Sequence, residues 1–484
     1  MSEIKLERPT RQLTLFDSTC VIVGIIIGVG IFETTPRIAQ CVGGPTLLLL
    51  VWLAGGAISL LGALCYAELV SAHPKQGGDY VFLSRAYGRQ MGFLFAWSDF
   101  WIVRPGSVGA MAFVFAHYAS LLWPLPTNWS EYAFVVFAIP LIVLLTIINI
   151  LGVRQGKWTQ NTLTVIKVAG LLIVVVVAVA APPDVAPSDA PPSDAPAPEP
   201  MGLPLALIFV LFTYGGWNEI AYVGAEVKNP GKNALRSLLL GTLAVTVIYL
   251  LVNGAFLYAL GFQGVQQSEA VAADAVDRVP YGSRAISALV CLSAMGSING
   301  HIFTGARIYY ALGTEHTLFA PLGRWSRRFG TPVVSLASQG VVTVALIVLF
   351  GTPLWSRFIG AVTTTAADGA APAAFEAKKA FGKMVIFTTP AFWSFLLLVI
   401  LSLLILRRRE PNTARPFRVP LYPWIPLLFG AVCLFMIYSS LDYAYHKHSY
   451  EAYWSIGILV VGVAMSFWNR RRSGAADQEQ EPPA

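Results

Sequence analysis

The sequence predicts an all-α, polytopic membrane protein with about twelve transmembrane helices. Three observations carry this. Of the 484 residues, 56% are hydrophobic and only 12% charged, against about 25% charged in an average soluble domain, so an ordinary water-facing surface cannot be built. The apolar residues gather in runs of roughly 18 to 25, the length that crosses a hydrocarbon core about 30 Å thick. With a cytoplasmic N-terminus assumed, 23 of the 33 Lys and Arg fall in cytoplasmic loops and 8 in outer ones, with Arg104 and Lys167 left inside spans; this is the positive-inside bias. The net charge of +7 therefore reflects orientation in a membrane, and no nucleic-acid partner is expected.

Taken in chain order, a polar cytoplasmic segment, 1–13, precedes a first span that is retained, since a cleavable leader would show a short apolar stretch and a cleavage site. Runs at 14–41, 46–70, 91–123, 131–151 and 158–181 make a first set of five. The stretch 182–200 is almost wholly Pro, Ala, Ser and Asp, a composition that cannot bury apolar surface and reads as an outer-loop spacer. A second set, within 202–406, comprises runs at 202–226, 236–262, 283–312, 333–350 and 384–406. An Ala-rich outer insert at 363–383 is either a surface helix or unstructured. Two further runs, 423–443 and 451–468, fill 407–468, and 469–484 is a cytoplasmic tail, solvated from Ser473. An even number of spans puts both termini on the cytoplasmic side of the cell membrane. The cysteines Cys20, Cys41, Cys65, Cys291 and Cys433 form no CxxC pair and read as small packing residues rather than metal ligands.

Breaks carry the functional signal, because a helix interrupted at membrane depth frees backbone groups that need protein, water or a ligand. The first span holds Gly24 and then Gly28-Val29-Gly30-Ile31-Phe32; the sixth holds Phe212-Thr213-Tyr214-Gly215-Gly216-Trp217-Asn218. If spans one to five and six to ten are repeats, the two breaks correspond, which points to a transporter site between inverted repeats. Glycine lets the backbone unwind and approach a ligand. Freed amides suit a carboxylate and freed carbonyls suit an ammonium, and one α-amino acid carries both. Small residues for helix packing are the alternative reading.

The motifs are specific at this point. Gly24-Ile-Ile-Ile-Gly-Val-Gly-Ile-Phe32 resembles the first-helix signature of the amino acid-polyamine-organocation permeases, and Leu211-Phe-Thr-Tyr-Gly-Gly-Trp-Asn218 resembles the sixth-helix signature of their L-type amino-acid transporter branch. Tyr66-Ala-Glu-Leu with Pro74 and Gly77-Gly-Asp-Tyr80, Arg104-Pro-Gly-Ser107, and Asn149-Ile-Leu-Gly-Val-Arg-Gln-Gly156 with Lys167 are similar to further family stretches. So are Glu226-Val-Lys-Asn-Pro230, Gly296-Ser-Ile-Asn299 with Arg307, and Arg415-Pro-Phe-Arg-Val-Pro-Leu-Tyr-Pro423. The resemblance covers nearly the whole chain.

It implies a twelve-helix fold: a five-plus-five inverted repeat with broken helices 1 and 6, two extra C-terminal helices, and alternating access around an amino-acid site. By that resemblance the backbone at Ile26, Ile27, Gly28, Val29 and Gly30 would hold the substrate carboxylate and share its amine with the sixth span. Phe212 would be an aromatic gate. Thr213, Tyr214, Gly215 and Gly216 would supply carbonyls and room, and Asn218 a polar contact. Val29 stands where many members have Ser, which removes a hydroxyl and keeps the amide. The outer loop 123–128 has no cysteine, so a disulfide-linked partner subunit is not expected.

Ionisable residues inside spans are functional candidates. Lys167 lies about nine residues beyond Trp158, roughly 13 Å along a helix, close to the midplane. By resemblance its ammonium would replace a coupling sodium ion between the first and eighth helices; it either exchanges a proton during the cycle or stays charged as a structural pin. Asp99 and Arg104 are five positions apart, about 140° round an α-helix, so they should not pair on one face and each needs another partner. Glu68 and Glu226 read as anchors near the cytoplasmic ends, and the six histidines show no metal spacing.

No GxxxxGK[ST] phosphate loop, HExxH or GxSxG appears, so ATP-driven transport, hydrolase chemistry and a bound cofactor are not expected. The expectation is a secondary amino-acid transporter, not an enzyme, working as an exchanger or with protons. Few acids lie near the breaks, which favours a neutral amino acid, although Glu219 weakens that preference. A cationic amino-acid or polyamine exchanger is the alternative, and a channel is the more distant one.

Overall fold

The polypeptide enters the first helix through a reciprocal cap. The Thr14 hydroxyl accepts from the Asp17 amide at 3.2 Å, and the Asp17 carboxylate accepts from the Thr14 amide at 2.8 Å, satisfying two amides that a helix start leaves bare. The same carboxylate takes Lys157 Nζ at 3.0 Å and Asn161 Nδ2 at 2.7 Å, which ties the start of the first span to the fifth.

The computed structural model describes residues 11–126, 132–180, 202–351, 377–446 and 450–478. Among these, ten helices are long and apolar enough to cross a bilayer, and the shorter apolar helices Phe134–Ile150 and Tyr453–Trp468 stand where the fourth and twelfth spans are expected. The first span is helical over Leu15–Ile26, Gly30–Glu33 and Thr35–Cys41. Pro45–Ala72 is the second. A short helix, Asp79–Tyr87, leads to the third, which runs Arg89–Ser98, a π-helical turn Asp99–Val103, and Arg104–Leu122. Ala133–Ile150 and Val153–Ala180 are the fourth and fifth.

The sixth begins as Leu203–Thr213, and the seventh, Pro230–Gln267, bends at Gly261, where φ is 67°. Gly282–Glu315, Val333–Gly351, Ala377–Arg409, Trp424–His446 and Tyr450–Gln478 complete the set. The seventh span is longer at both ends than its apolar run, the tenth starts inside the expected insert, and the last helix runs past Ser473 to Gln478. The 182–200 spacer and the 363–376 part of the insert lie outside the described residues.

Exposure is inverted relative to a soluble protein. Leu50, Leu144, Ile173, Val176 and Val341 point outward, while Gln160, Thr242, Asn253, Asn299 and Lys167 are buried. Lipid solvates the aliphatic side chains, and polar groups find partners only inside the bundle. The first, fifth, seventh and eighth spans pack around the first break, and the third, sixth and tenth approach one another beside the second.

Candidate functional site

The first helix ends at Ile26, and Ile27 (φ −74°, ψ 76°) leaves helical geometry before the chain turns again at Gly30. The carbonyls freed here are met by side chains from three other spans. Lys167 Nζ donates to Gly24 O at 2.7 Å and Ile27 O at 2.8 Å, and also reaches Ser293 O on the eighth span at 3.2 Å. Ser297 Oγ donates to Ile25 O at 2.6 Å, and the Tyr249 hydroxyl lies 2.8 Å from Ile26 O. The amides of Gly30 and Ile31, opening the next helical piece, have no intrahelical acceptor.

The sixth span breaks differently. After Thr213, Gly216 takes φ 111°, a left-handed conformation that glycine adopts without steric cost, and the chain continues as a 3₁₀ turn, Trp217–Ala221, rather than the second α-helical half the sequence suggests. The Gly215 amide turns back to Phe212 O at 3.0 Å, so the carbonyls of Leu211 and Gly215 fall outside the backbone ladder. The two breaks touch: the Thr34 and Thr213 hydroxyls are 2.9 Å apart, Tyr249 Oη also lies 3.3 Å from Thr213 O, and a Cβ on Gly30 would sit 2.7 Å from the Thr213 side chain.

A cavity opens beside the sixth break. It is lined by Val103, Arg104, Ser107 and Met111 of the third span, Leu211, Phe212, Gly215, Gly216, Asn218 and Glu219 of the sixth, His301 of the eighth, and Thr388, Thr389, Phe392 and Trp393 of the tenth. Of the residues expected from sequence, Phe212, Gly215, Gly216 and Asn218 line it. Ile26, Ile27, Gly28, Val29, Gly30, Thr213 and Tyr214 are buried and do not. Gly28 lies against Met111 and Ser297, and the Tyr214 ring packs against Trp52 and Tyr249. Phe212 meets Phe381 edge-on, with ring centroids 5.9 Å apart. Phe381 lines a second cavity with Arg37, Phe209, Thr389 and Tyr443, so this aromatic pair stands between the two spaces.

One charge pairing departs from the sequence expectation. Asp99 and Arg104 do pair, with Nη2 3.3 Å from Oδ1 and Nε 3.4 Å from Oδ2. The reason is the π turn between them: the Arg104 amide bonds to Asp99 O, and an i→i+5 turn puts residues five apart on one face. The additional partners also exist. Arg104 Nη1 bonds Glu219 Oε2 at 2.7 Å, Thr304 donates to the same oxygen, and the Tyr309 hydroxyl donates to Asp99 at 2.8 Å. Glu68 and Glu226 are anchors: Glu68 holds Arg407 and the Val419 amide, and Glu226 holds Arg307 Nε at 2.9 Å and Gln76 Nε2 at 3.1 Å. The five cysteines are buried and in no disulfide. Among the described residues no set of three His, Cys, Asp or Glu side chains could hold a metal ion.

Sequence reasoning missed the tenth-span wall, His301, Met111, and the two hydroxyl donors Ser297 and Tyr249. None of these stands out in an apolar run; only Ser297, inside the quoted Gly296-Ser-Ile-Asn299 stretch, carried a signal.

A model of the family described as amino acid permease matches residues 13–464. The chain belongs to the amino acid permease family. The permease is 28% identical over 442 residues to the b(0,+)-type amino acid transporter 1 of Mus musculus, covering 91% of this chain and 84% of that one. It is 28% identical over 439 residues to the human cystine/glutamate transporter (89% and 80% covered), and 28% over 445 residues to the human large neutral amino acids transporter small subunit 2 (89% and 76% covered). The permease is thus a multi-pass membrane transporter of amino acids and not an enzyme.

Proposed function

We propose that this permease is a secondary transporter of the cytoplasmic membrane, with both termini cytoplasmic, that moves small α-amino acids by alternating access in exchange for amino acid or with protons. The single supporting observation is the pair of broken spans meeting at Gly30 and Thr213 beside a cavity. The carbonyls of Leu211 and Gly215 receive the substrate ammonium, because those of Gly24 to Ile27 already accept Lys167, Ser297 and Tyr249. The carboxylate goes to the bare amides at the start of the Gly30–Glu33 turn, once Met111 and Ser297 give way at Gly28. Phe212 closes over the side chain, and Met111, Phe212 and Phe392 accommodate neutral aliphatic groups.

Lys167 pins the first break. Three carbonyl contacts from two spans support that role, and a proton-coupling role would appear as an altered pH dependence in its variants. One relative's name carries the words small subunit; with every cysteine of this chain buried, any partner subunit here is held without a disulfide. Purified protein in liposomes tests the whole reading. Saturable uptake of labelled amino acid that requires amino acid inside supports exchange, whereas flux that never saturates indicates a pore and overturns it.

A further inference from the structure

Below Asn218 and Glu219 the central cavity meets a second, smaller chamber. The two share Val103, Asn218, Glu219 and Phe392, and the chamber adds Asp79, Ser98, Asp99 and Tyr222 to its wall. Its charge does not balance. Asp79, Asp99 and Glu219 are three carboxylates, and Arg104 is the one guanidinium among them, already paired with Asp99 and Glu219.

Among the described residues Asp79 forms no ion pair. One carboxylate oxygen accepts the Tyr66 and Tyr222 hydroxyls at 2.9 Å each, while Oδ1 has no donor although the residue is only 3% exposed. Ser98 Oγ, fully buried on the same wall, is also unpartnered. A buried carboxylate without a counter-charge is costly, and a donor-rich cation entering the chamber recovers that cost.

Resting on the amino-acid reading above, we propose that this chamber is a subsite for the positively charged head of a basic side chain, an ammonium or guanidinium, whose α-amino and α-carboxylate groups sit at the two breaks. The walls suit such a group. Phe95, Phe392 and Phe395 line the chamber with aromatic faces for the methylene stem and the cation. The approach is rich in acceptors: the Thr388 and Thr389 hydroxyls are committed as donors to Val385 O, and His301 Nδ1 to Ser297 O. The absence of a three-ligand cluster among the described residues speaks for an organic head rather than a metal ion. Glu219 and Asp79 then act as specificity-determining residues, and neutral substrates leave the chamber unfilled.

Lysine and norleucine differ chiefly in the terminal ammonium, and competition between them decides the matter. In liposomes exchanging labelled leucine, lysine competes better than norleucine, and Asp79→Asn lowers the lysine-to-norleucine affinity ratio by roughly tenfold or more, the scale of a lost charged hydrogen bond. Asp79→Glu retains most of the ratio. If norleucine exchanges while lysine competes no better in the wild-type protein, the subsite is overturned and the amino-acid site stands. An Asp79→Asn ratio equal to wild type overturns it as well. If neither compound nor leucine exchanges, the amino-acid reading fails first and takes the subsite with it.

Discussion

Replacing Lys167 by methionine keeps most of the side-chain volume and removes the ammonium. Three hydrogen bonds are lost, to Gly24 O, Ile27 O and Ser293 O. They are not equivalent. Gly24 O is left with only the long branch of the Ser297 hydroxyl at 3.3 Å, whose proton points to Ile25 O at 2.6 Å, and Ser293 O stays within the eighth helix. Ile27 O is left without a donor. An orphaned buried carbonyl costs about 1–3 kcal/mol, and a hydrogen bond to a charged group is worth about 1.5–3 kcal/mol. Against this, the variant no longer buries an ammonium, which recovers several kcal/mol. Three bonds to a charged donor come to about 4.5–9 kcal/mol, so after that recovery a destabilisation of a few kcal/mol is left, a sizeable part of the roughly 5–15 kcal/mol that holds a typical domain. Thermal melting in detergent should therefore fall, and exchange in liposomes should fall with it, because the break loses its tie to the fifth span and one of its links to the eighth, leaving Ser297 alone to hold it there. As a pin, Lys167 leaves the shape of the pH profile unaltered in the residual activity. A variant that melts and exchanges like the wild type refutes the pin, and one whose pH profile flattens transfers Lys167 to coupling.

Three other outcomes follow from the same contacts. A Cβ on Gly296 would lie 2.5 Å from Lys167 Nζ, so Gly296→Ala should reproduce the Lys167→Met loss of exchange; wild-type exchange would show that the ammonium is free to shift. Arg104→Met leaves Asp99 and Glu219 buried without their cation, whereas Glu219→Gln leaves Arg104 still on Asp99, so melting should fall further for Arg104→Met, by the about 3–5 kcal/mol of a broken buried pair; equal losses contradict the network. Burial pushes the Asp79 carboxyl up to about 7, the Tyr222 and Tyr66 hydroxyls opposing it and the Glu219 and Asp99 carboxylates adding to it. Asp79 is charged above that value and neutral below it, so the lysine-to-norleucine ratio should fall as pH drops from 8 to 6, and a flat ratio removes Asp79 from recognition.

Both breaks were legible in the sequence because glycine pairs at mid-span have a backbone meaning that apolar neighbours cannot mask. Lys167 was legible from depth alone, since an ammonium there has few destinations other than carbonyls. The Asp99–Arg104 pair was not, because angular spacing assumes an unbroken α-helix and the π turn Asp99–Val103 inserts a residue that no composition signals. The 3₁₀ continuation after Gly216 was hidden for a similar reason: the glycines mark where the helix stops and say little about how it resumes. The resemblance gives the first-break backbone the substrate carboxylate and a share of its amine, whereas Lys167, Ser297 and Tyr249, from spans far apart in sequence, take its carbonyls in the fold. The cavity wall from the tenth span was invisible because Thr388, Thr389, Phe392 and Trp393 are ordinary residues of an apolar run until tertiary packing turns them inward.

The phenol of Tyr249 rests within hydrogen-bond distance of one peptide oxygen from each interrupted rod, a single proton shared by the two. On the alternating-access reading proposed above, a shift of either rod changes which oxygen holds that proton, so the two halves of the bundle are coupled with no long relay between them. Tyr249→Phe would keep the ring and sever this yoke; if the proposed transport is exchange, labelled amino acid should then leak out of liposomes with none outside, and a variant that still needs outside amino acid refutes the coupling.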